Sequence, residues 1–351
     1  MTEQYFRSEG LLKARFDGAQ RQMGFRATTL EAWRLWRQDL RATLRQLTGL
    51  DRMTPVAPRP RVTETVQCEG YRRERVEIDT EPGVTMPLYV LVPDGLQGPA
   101  PAVIASHGHD SGGKISPAGV TGIPGVAERV RDYNYDYGVK AARRGFVVFC
   151  PDARGFGERR ESFSAGPDKL FNSSCAQLAH MGIPLGLTVT GMWVWDLQQL
   201  VDYVESRPEC QGRKIGAIGL SGGGLQTLWL SALDDRIACA VVSGYFYGVK
   251  DSLLELSNNC DCNYVPHLWE KVDMGDLGAL VAPRPLLIEA GLQDPLNGSR
   301  GIDNVKEQVD IARQAYGLLQ SPGTIDLATF DGPHMWHGAR AWAWLDTWLK
   351  G

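Results

Sequence analysis

The sequence has no excess of charge, no long apolar run and no recognisable leader. Its 37 Lys and Arg against 41 Asp and Glu give a formal net charge of -4, so no global positive field would recruit nucleic acid or an anionic membrane. No apolar run approaches the length needed to cross a bilayer. The first residues lack the basic and apolar regions of a signal peptide. We therefore expect a cytoplasmic protein without a nucleic-acid or membrane partner; homo-oligomerisation stays open.

A disulfide framework is also missing. The seven cysteines are odd in number and are scattered between Cys68 and Cys262. Secreted domains that depend on disulfides have even numbers of cysteines at regular spacings. The pattern favours a reducing compartment, in agreement with the missing leader.

Two kinds of periodicity divide the chain. Residues 1–60 are predicted to form a helical extension, with a capping box at Thr28-x-x-Glu31 and a helix stop at Gly49. From residue 70 to residue 351, short apolar runs alternate with helical stretches, which predicts a mostly parallel sheet with helices on both faces. We count eight strands, the first two antiparallel, and therefore predict an α/β-hydrolase fold. Insertions at about residues 111–137 and 153–190 are expected to roof a pocket with side chains that include Tyr133, Tyr135, Phe163, Phe171, His180 and Met181.

A glycine-flanked serine is the most informative motif. Gly219-Leu220-Ser221-Gly222-Gly223 lies between an apolar run, residues 214–218, and a helical stretch that begins at Gly223. A nucleophilic serine on a tight strand-to-helix turn needs small residues two positions before and after it. The arrangement predicts Ser221 as a nucleophile.

A serine hydroxyl needs a base, and the base needs an orienting acid. Asp294 follows the apolar run 285–288, and His334 follows the last predicted strand, so we assign them as acid and base in the chain order of this fold. Glu289 is expected to be structural, and Asp331 is too near the base in sequence to serve it well. His337 is expected to lie inside the start of the last helix.

The loop after the third strand is expected to complete an oxyanion hole. We predict that the backbone N–H groups of His109 and Gly222 are its donors. The same loop nearly matches a phosphate-binding P-loop at Gly108-x-x-x-x-Gly113-Lys114. Ile115 stands where that motif needs Ser or Thr, so a phosphate site is rejected.

Soft metal ligands occur close together in one segment. Cys260 and Cys262 lie in an Asn-rich stretch with His267 nearby, which makes zinc conceivable. A second cysteine pair is missing, and the Cys-x-Cys spacing is not that of a usual zinc finger. We therefore predict a packed loop near the pocket and a site without metal or cofactor. Arg154, after the fourth strand, is expected to form an ion pair that braces neighbouring loops.

These motifs in this order resemble the acetyl xylan esterases and cephalosporin-C deacetylases of the α/β-hydrolase fold, with their dienelactone-hydrolase-like relatives. The resemblance covers roughly residues 70–351 and includes the motifs around His107, Asp152, Ser221, Asp294 and His334. It implies a serine carboxylic-ester hydrolase acting on a small-molecule ester through an acyl-enzyme. A prolyl-oligopeptidase-type peptidase, a lactone hydrolase and a non-catalytic binding module remain alternatives. Two positions differ from the deacetylases: Gly222 replaces their usual Gln, and His109 replaces an aromatic residue.

Overall fold

A single sheet forms the centre of the computed structural model, which describes residues 6–164, 166 and 169–351. Nine strands are ordered β1-β2-β3-β5-β4-β6-β7-β8-β9 across the sheet. They are β1 (Arg61–Cys68), β2 (Tyr71–Glu81), β3 (Val84–Pro93), β4 (Ala102–Ser106), β5 (Val147–Pro151), β6 (Ile215–Leu220), β7 (Ile237–Ser243), β8 (Leu286–Gly291) and β9 (Ile325–Phe330).

The sheet is antiparallel at one edge and parallel through the rest. Strands β1, β2 and β3 pair antiparallel, and β3 pairs antiparallel with β5. From β5 through β4, β6, β7 and β8 to β9 every pairing is parallel. This confirms the predicted α/β-hydrolase fold.

The expected count of eight strands is wrong by one, since β1 was not predicted. Six of its eight residues, Arg61 to Thr65 and Gln67, are exposed, so the segment has no apolar face that a sequence pattern could reveal. It becomes a strand because it pairs with β2, with Arg61 opposite Glu77 and Cys68 opposite Tyr71.

Helices cover both faces of the sheet. They are α1 (Glu9–Ala19), α2 (Leu30–Thr48), α3 (Val126–Tyr133), α4 (Tyr137–Ala142), α5 (Cys175–Gly182), α6 (Val189–Ser206), α7 (Gly222–Leu233), α8 (Leu268–Lys271), α9 (Met274–Val281), α10 (Ile302–Leu318) and α11 (Ala341–Leu345). Alternate residues of the central strands face opposite layers: Ala240 and Val242 pack with α7, α9 and α10, whereas Val241 packs with α4 and α11. Strands buried on both faces read as continuous apolar runs, which is why the sequence revealed them.

The N-terminal helices share the apolar core of the sheet. Leu40 and Leu44 of α2 are fully buried in the same cluster as residues of α6 and α7. Helix α2 ends where expected, because Gly49 adopts φ 81°, the left-handed conformation that closes a helix. Its predicted capping box is wrong by one residue: Thr29, not Thr28, is the N-cap and accepts a hydrogen bond from Ala32 N.

The C-terminal helix begins later than the sequence indicated. Helix α11 starts at Ala341 and continues as a π-helical segment, Asp346–Lys350, so His337 lies in the preceding loop rather than inside the helix. Among the described residues, no helix has the length and apolar character that crossing a bilayer requires.

Candidate active site

Ser221 lies on a strained turn between β6 and α7. Its backbone has φ 60° and ψ −121°, a conformation that residues other than glycine rarely adopt. A Cβ on Gly219 would lie 2.3 Å from Gly223 O, and one on Gly223 would lie 2.1 Å from Ser106 O. Neither position can accept a side chain, so the two glycines let the turn pack tightly against β4 and present Ser221 at the end of the sheet.

His334 and Asp294 meet at the same end of the sheet. Asp294 follows β8, and His334 lies in the loop between β9 and α11. His334 Nδ1 is 2.7 Å from Asp294 Oδ2, and Leu296 N donates to Asp294 Oδ1 at 2.9 Å. Both carboxylate oxygens therefore have a donor, and the ring is fixed with Nδ1 toward the acid.

The second ring nitrogen of His334 is left free. Nε2 is buried and has no hydrogen-bond partner among the described residues. His334 and Ser221 line the same cavity. In unliganded sites the bond between serine and histidine is often long and tightens only in the complex. The free nitrogen is thus placed to accept a proton inside the cavity.

Two backbone N–H groups lie close to each other beside Ser221. Gly222 is the first residue of α7, so its N–H has no partner within the helix and lies at the positive end of the helix dipole. A Cβ on Gly222 would lie 3.6 Å from His109 N, which places the two groups side by side. Among the described residues neither N–H donates to a protein acceptor. They can therefore stabilise an anion that forms on this side of the serine.

Buried side chains hold the loop after β4. Tyr135 Oη donates to His109 O at 2.6 Å, and Tyr137 Oη donates to Ser106 O at 2.5 Å. His107 Nε2 accepts from Ala153 N at 3.1 Å, and burial lowers the pKa of His107, so this ring stays neutral. These bonds hold the loop after β4 in a fixed position beside Ser221.

Glu289 supports the loop that carries His334. Its carboxylate accepts hydrogen bonds from His337 N, Gly338 N and Ser243 Oγ at 2.6 to 3.0 Å. Burial raises its pKa above the usual value, although these donors oppose the shift. The side chain does not line the cavity, so Glu289 has the structural position that the sequence indicated. Asp331 instead pairs with Gln293 at the surface.

The cavity between these groups has a volume of about 330 Å³. Ser221, Gly222, His109 and His334 line its floor, and Leu296 is an apolar member of the wall. The other lining groups are mostly phenols and amides: Tyr133, Tyr135, Tyr245, Tyr247, Asn258, Asn259 and Asn263. The cavity is therefore small, and its wall carries several hydrogen-bonding groups beside apolar ring surface.

The two insertions that were expected to roof a pocket contribute unequally to this cavity. Tyr133 and Tyr135 from the first insertion line the cavity, whereas Phe163, His180 and Met181 from the second are exposed and Phe171 packs on Arg129. The cavity is lined instead by Tyr245 and Tyr247, which follow β7, and by residues of the segment 258–263. The position of Tyr245 and Tyr247 just past the carboxyl end of an apolar run was the signal that could have revealed them.

The near P-loop and the Arg154 segment form ion pairs behind these loops. Lys114 Nζ is buried, contacts Glu158 and lies 2.7 Å from Asp152 Oδ2, so its charge is neutralised inside the protein. Arg154 bridges Asp196 and Glu81 at 2.7 to 3.0 Å. Neither cation lines the cavity, and the ion pairs of Arg154 agree with the bracing role expected for it.

A cluster of potential metal ligands borders the cavity. Cys260, Cys262 and His109 have ligand atoms within 4.8 Å of one another. His267, which the sequence suggested as a possible zinc ligand, does not belong to this cluster. It is exposed and pairs with Glu270. The cluster therefore combines two cysteines of one loop with a histidine of the loop after β4.

Comparisons with known proteins agree with this architecture. A profile of the abhydrolase family matches residues 2–316. The Bacillus subtilis protein named "Putative hydrolase YtaP" is 29% identical over 262 residues, which cover 72% of this chain and 80% of the relative.

Solved structures show the same fold at low sequence identity. A "putative acetyl xylan esterase" from Bacteroides fragilis superposes with a TM-score of 0.77 at 22% identity, over 92% of this chain and 82% of that one. A glucuronoyl esterase from Solibacter usitatus superposes with a TM-score of 0.64 at 16% identity, over 90% of this chain and 92% of that one.

Proposed function

The chain belongs to the abhydrolase family, and from this premise we propose that it is a serine carboxylic-ester hydrolase that works through a Ser221–His334–Asp294 triad and an acyl-enzyme. The observation that carries the proposal is the pairing of His334 Nδ1 with Asp294 in a cavity that Ser221 also lines. The relatives named as esterases support the same reaction class.

The proposed reaction begins at the strained turn. Ser221 Oγ attacks the ester carbonyl while His334 Nε2 takes the hydroxyl proton. Asp294 holds Nδ1 protonated and stabilises the imidazolium that forms. The imidazolium then gives its proton to the leaving alcohol. Water, activated by the same nitrogen, hydrolyses the acyl-enzyme and restores Ser221.

Charge that develops on the carbonyl oxygen is met by the backbone. The N–H groups of His109 and Gly222 have no competing protein acceptor among the described residues, so they are available to the oxyanion. Each such donor typically contributes about 10²–10³-fold to the rate. Because Tyr135 holds the His109 carbonyl, the loop needs little rearrangement when the charge appears.

The cavity favours a small acyl group on a polar alcohol. Its volume of about 330 Å³ limits the size of what lies beside Ser221. Phenol and amide groups such as Tyr133, Asn258 and Asn259 can hydrogen-bond hydroxyl groups of the alcohol. Acetyl esters of polyhydroxy compounds fit this lining better than long-chain or aryl esters.

Active-site labelling with a fluorophosphonate tests the proposal. We expect the label on Ser221, found by peptide mass spectrometry, and a loss of turnover of about 10⁴-fold or more in Ser221→Ala. Ser206→Ala, at the end of α6, is the control and should retain activity and labelling. More than a few per cent of wild-type turnover in purified Ser221→Ala would contradict the assignment.

A substrate panel tests the reaction class. Acetyl esters of polar alcohols should be hydrolysed faster than butyryl esters, aryl esters, lactones and aminoacyl amides. Preferred cleavage of the amides would identify a peptidase, and preferred cleavage of lactones would identify a lactone hydrolase. Either result would refute the ester assignment while leaving Ser221 as nucleophile.

A further inference from the structure

We propose that Cys175, Cys260, Cys262 and His109 form a site for a thiophilic divalent cation, Zn²⁺, beside the catalytic cavity. The site is independent of the proposed ester hydrolysis, since none of its ligand atoms belongs to the triad or is an oxyanion donor. It replaces the packed, metal-free loop that the sequence predicted around Cys260 and Cys262.

The spacing of the ligand atoms fits tetrahedral zinc. His109 Nε2 lies 3.4 Å from Cys262 Sγ, and Cys260 Sγ lies within 4.8 Å of both. Zn–S bonds of about 2.3 Å and Zn–N bonds of about 2.0 Å at tetrahedral angles place S and N about 3.5 Å apart. His109 and Cys262 are therefore already at the separation that one shared ion requires, and Cys260 is close enough to join them after a small side-chain movement.

Cys175 is assigned as the fourth ligand. It is the first residue of α5 and is fully buried. Its Sγ does not lie within 4.8 Å of all three other ligand atoms, so it has to move closer when the ion binds. With it, three thiols and one imidazole make a Cys₃His set, which is a common donor set of structural zinc. A disulfide could use only two of these groups and would leave the imidazole unexplained, and all the cysteines are free thiols in the structure.

Neighbouring groups hold the ligands in place. Asn263 Nδ2 lies 3.6 Å from Cys262 Sγ, and Tyr245 Oη donates to Asn263 Oδ1 at 2.8 Å. The edge of the His109 ring packs against Phe156, with ring centroids 5.4 Å apart. Donors to a ligating sulfur and contacts that fix the ring are the support that metal sites need around their ligands.

The ion would connect three separate parts of the chain around the cavity. His109 belongs to the oxyanion loop, Cys175 to the insertion after β5, and Cys260 and Cys262 to the segment after β7. Cys260 and His109 both line the cavity. The ion would therefore fix the oxyanion loop against the wall opposite it, a structural rather than catalytic role.

Metal analysis of the full chain, purified reduced and reconstituted with ZnSO₄, tests the site. We expect one zinc per chain in the wild type and in Cys68→Ser, and a loss of most of it in Cys260→Ser and Cys262→Ser. Cys68 is the matched control because it is a free cysteine outside the cluster. Substoichiometric zinc in the wild type, or full retention in both cluster variants, would overturn the proposal.

Two measurements on the wild type guard against variants that fail to fold. Co²⁺ should give the intense visible bands of a tetrahedral site together with a thiolate-to-cobalt band in the near ultraviolet, and Zn²⁺ should displace it. Bound Zn²⁺ should protect Cys260, but not Cys68, from iodoacetamide. An octahedral cobalt spectrum, unprotected Cys260, or a native mass two hydrogens below that of the reduced chain would refute the site, the last in favour of a disulfide.

A catalytic variant separates this inference from the proposed function. Ser221→Ala should bind one zinc per chain like the wild type, although it loses ester hydrolysis. Zinc without hydrolysis in the wild type would refute the proposed function alone, and hydrolysis without zinc would refute the metal site alone.

Discussion

Replacing Asp294 by Asn tests the assignment of the acid with almost no change of shape. Leu296 N donates to Asp294 Oδ1, so the amide oxygen of the variant will occupy that position and the NH₂ group will face His334. An NH₂ group requires Nδ1 of His334 as acceptor, which moves the ring proton to Nε2. A protonated Nε2 cannot accept the hydroxyl proton of Ser221.

The expected loss is large. A carboxylate 2.7 Å from Nδ1 stabilises the imidazolium through a charge-assisted bond, and the variant loses both this stabilisation and the correct tautomer. In other serine triads the same change costs about 10⁴-fold in kcat. We expect a fall of about 10³–10⁴-fold, which corresponds to roughly 4–5.5 kcal/mol of transition-state stabilisation.

The assay is kcat and KM for an acetyl ester, with circular dichroism to establish that the variant is folded. Asp331→Asn is the matched control, because Asp331 is exposed and contacts only Gln293 among the described residues; it should stay within about twofold of the wild type, as surface changes usually do. The double variant Ser221→Ala with Asp294→Asn should be no slower than Ser221→Ala, since a triad acts as a unit. A rate within tenfold of wild type for Asp294→Asn, or an equal loss in Asp331→Asn, would refute the assignment.

The remaining predictions concern the base and the turn. His334→Ala should match Ser221→Ala in turnover, whereas His337→Ala should retain most activity, because its backbone N–H still donates to Glu289 and only the stacking of its ring on Phe330 is lost; a reversed order in the same ester assay would show that the base is misassigned. Gly223→Ala should prevent the native turn, because its Cβ would lie 2.1 Å from a backbone oxygen. We expect insoluble or inactive protein, measured by soluble yield and ester hydrolysis. Gly317→Ala, with open space around its Cβ, should keep activity and leave the melting temperature equal or higher, and equal tolerance of both substitutions would contradict the close packing at the turn.

The sequence was sufficient for the parallel part of the sheet and for the triad residues as a prediction. Strands buried on both faces are continuous apolar runs, and the catalytic groups of this fold follow those runs in a fixed chain order. The glycines around Ser221 made the turn predictable, because close packing excludes any side chain at these positions. Each of these signals is local, so it can be read without knowing what lies nearby in space.

Elements without a local signal were missed or misplaced. Strand β1 is mostly exposed and exists through its pairing with β2. His337 fits a helical pattern, but its N–H donates to Glu289 on β8 and its ring stacks on Phe330, with centroids 4.6 Å apart. The contact with Glu289 spans 48 positions of the chain, and helix α11 begins only at Ala341.

The sequence by itself indicated which residues are candidates for catalysis, because Ser221, Asp294 and His334 each follow a recognisable apolar run. Only the tertiary structure decided which residues surround them. It places Tyr245 and Tyr247 at the cavity, turns His267 to the surface, and brings His109 to within 3.4 Å of Cys262 across 153 positions of the chain. The apolar periodicity of a sequence indicates which residues of one helix or strand are buried. The wall of the cavity and the proposed metal ligands instead come from several loops, which meet at one edge of the sheet.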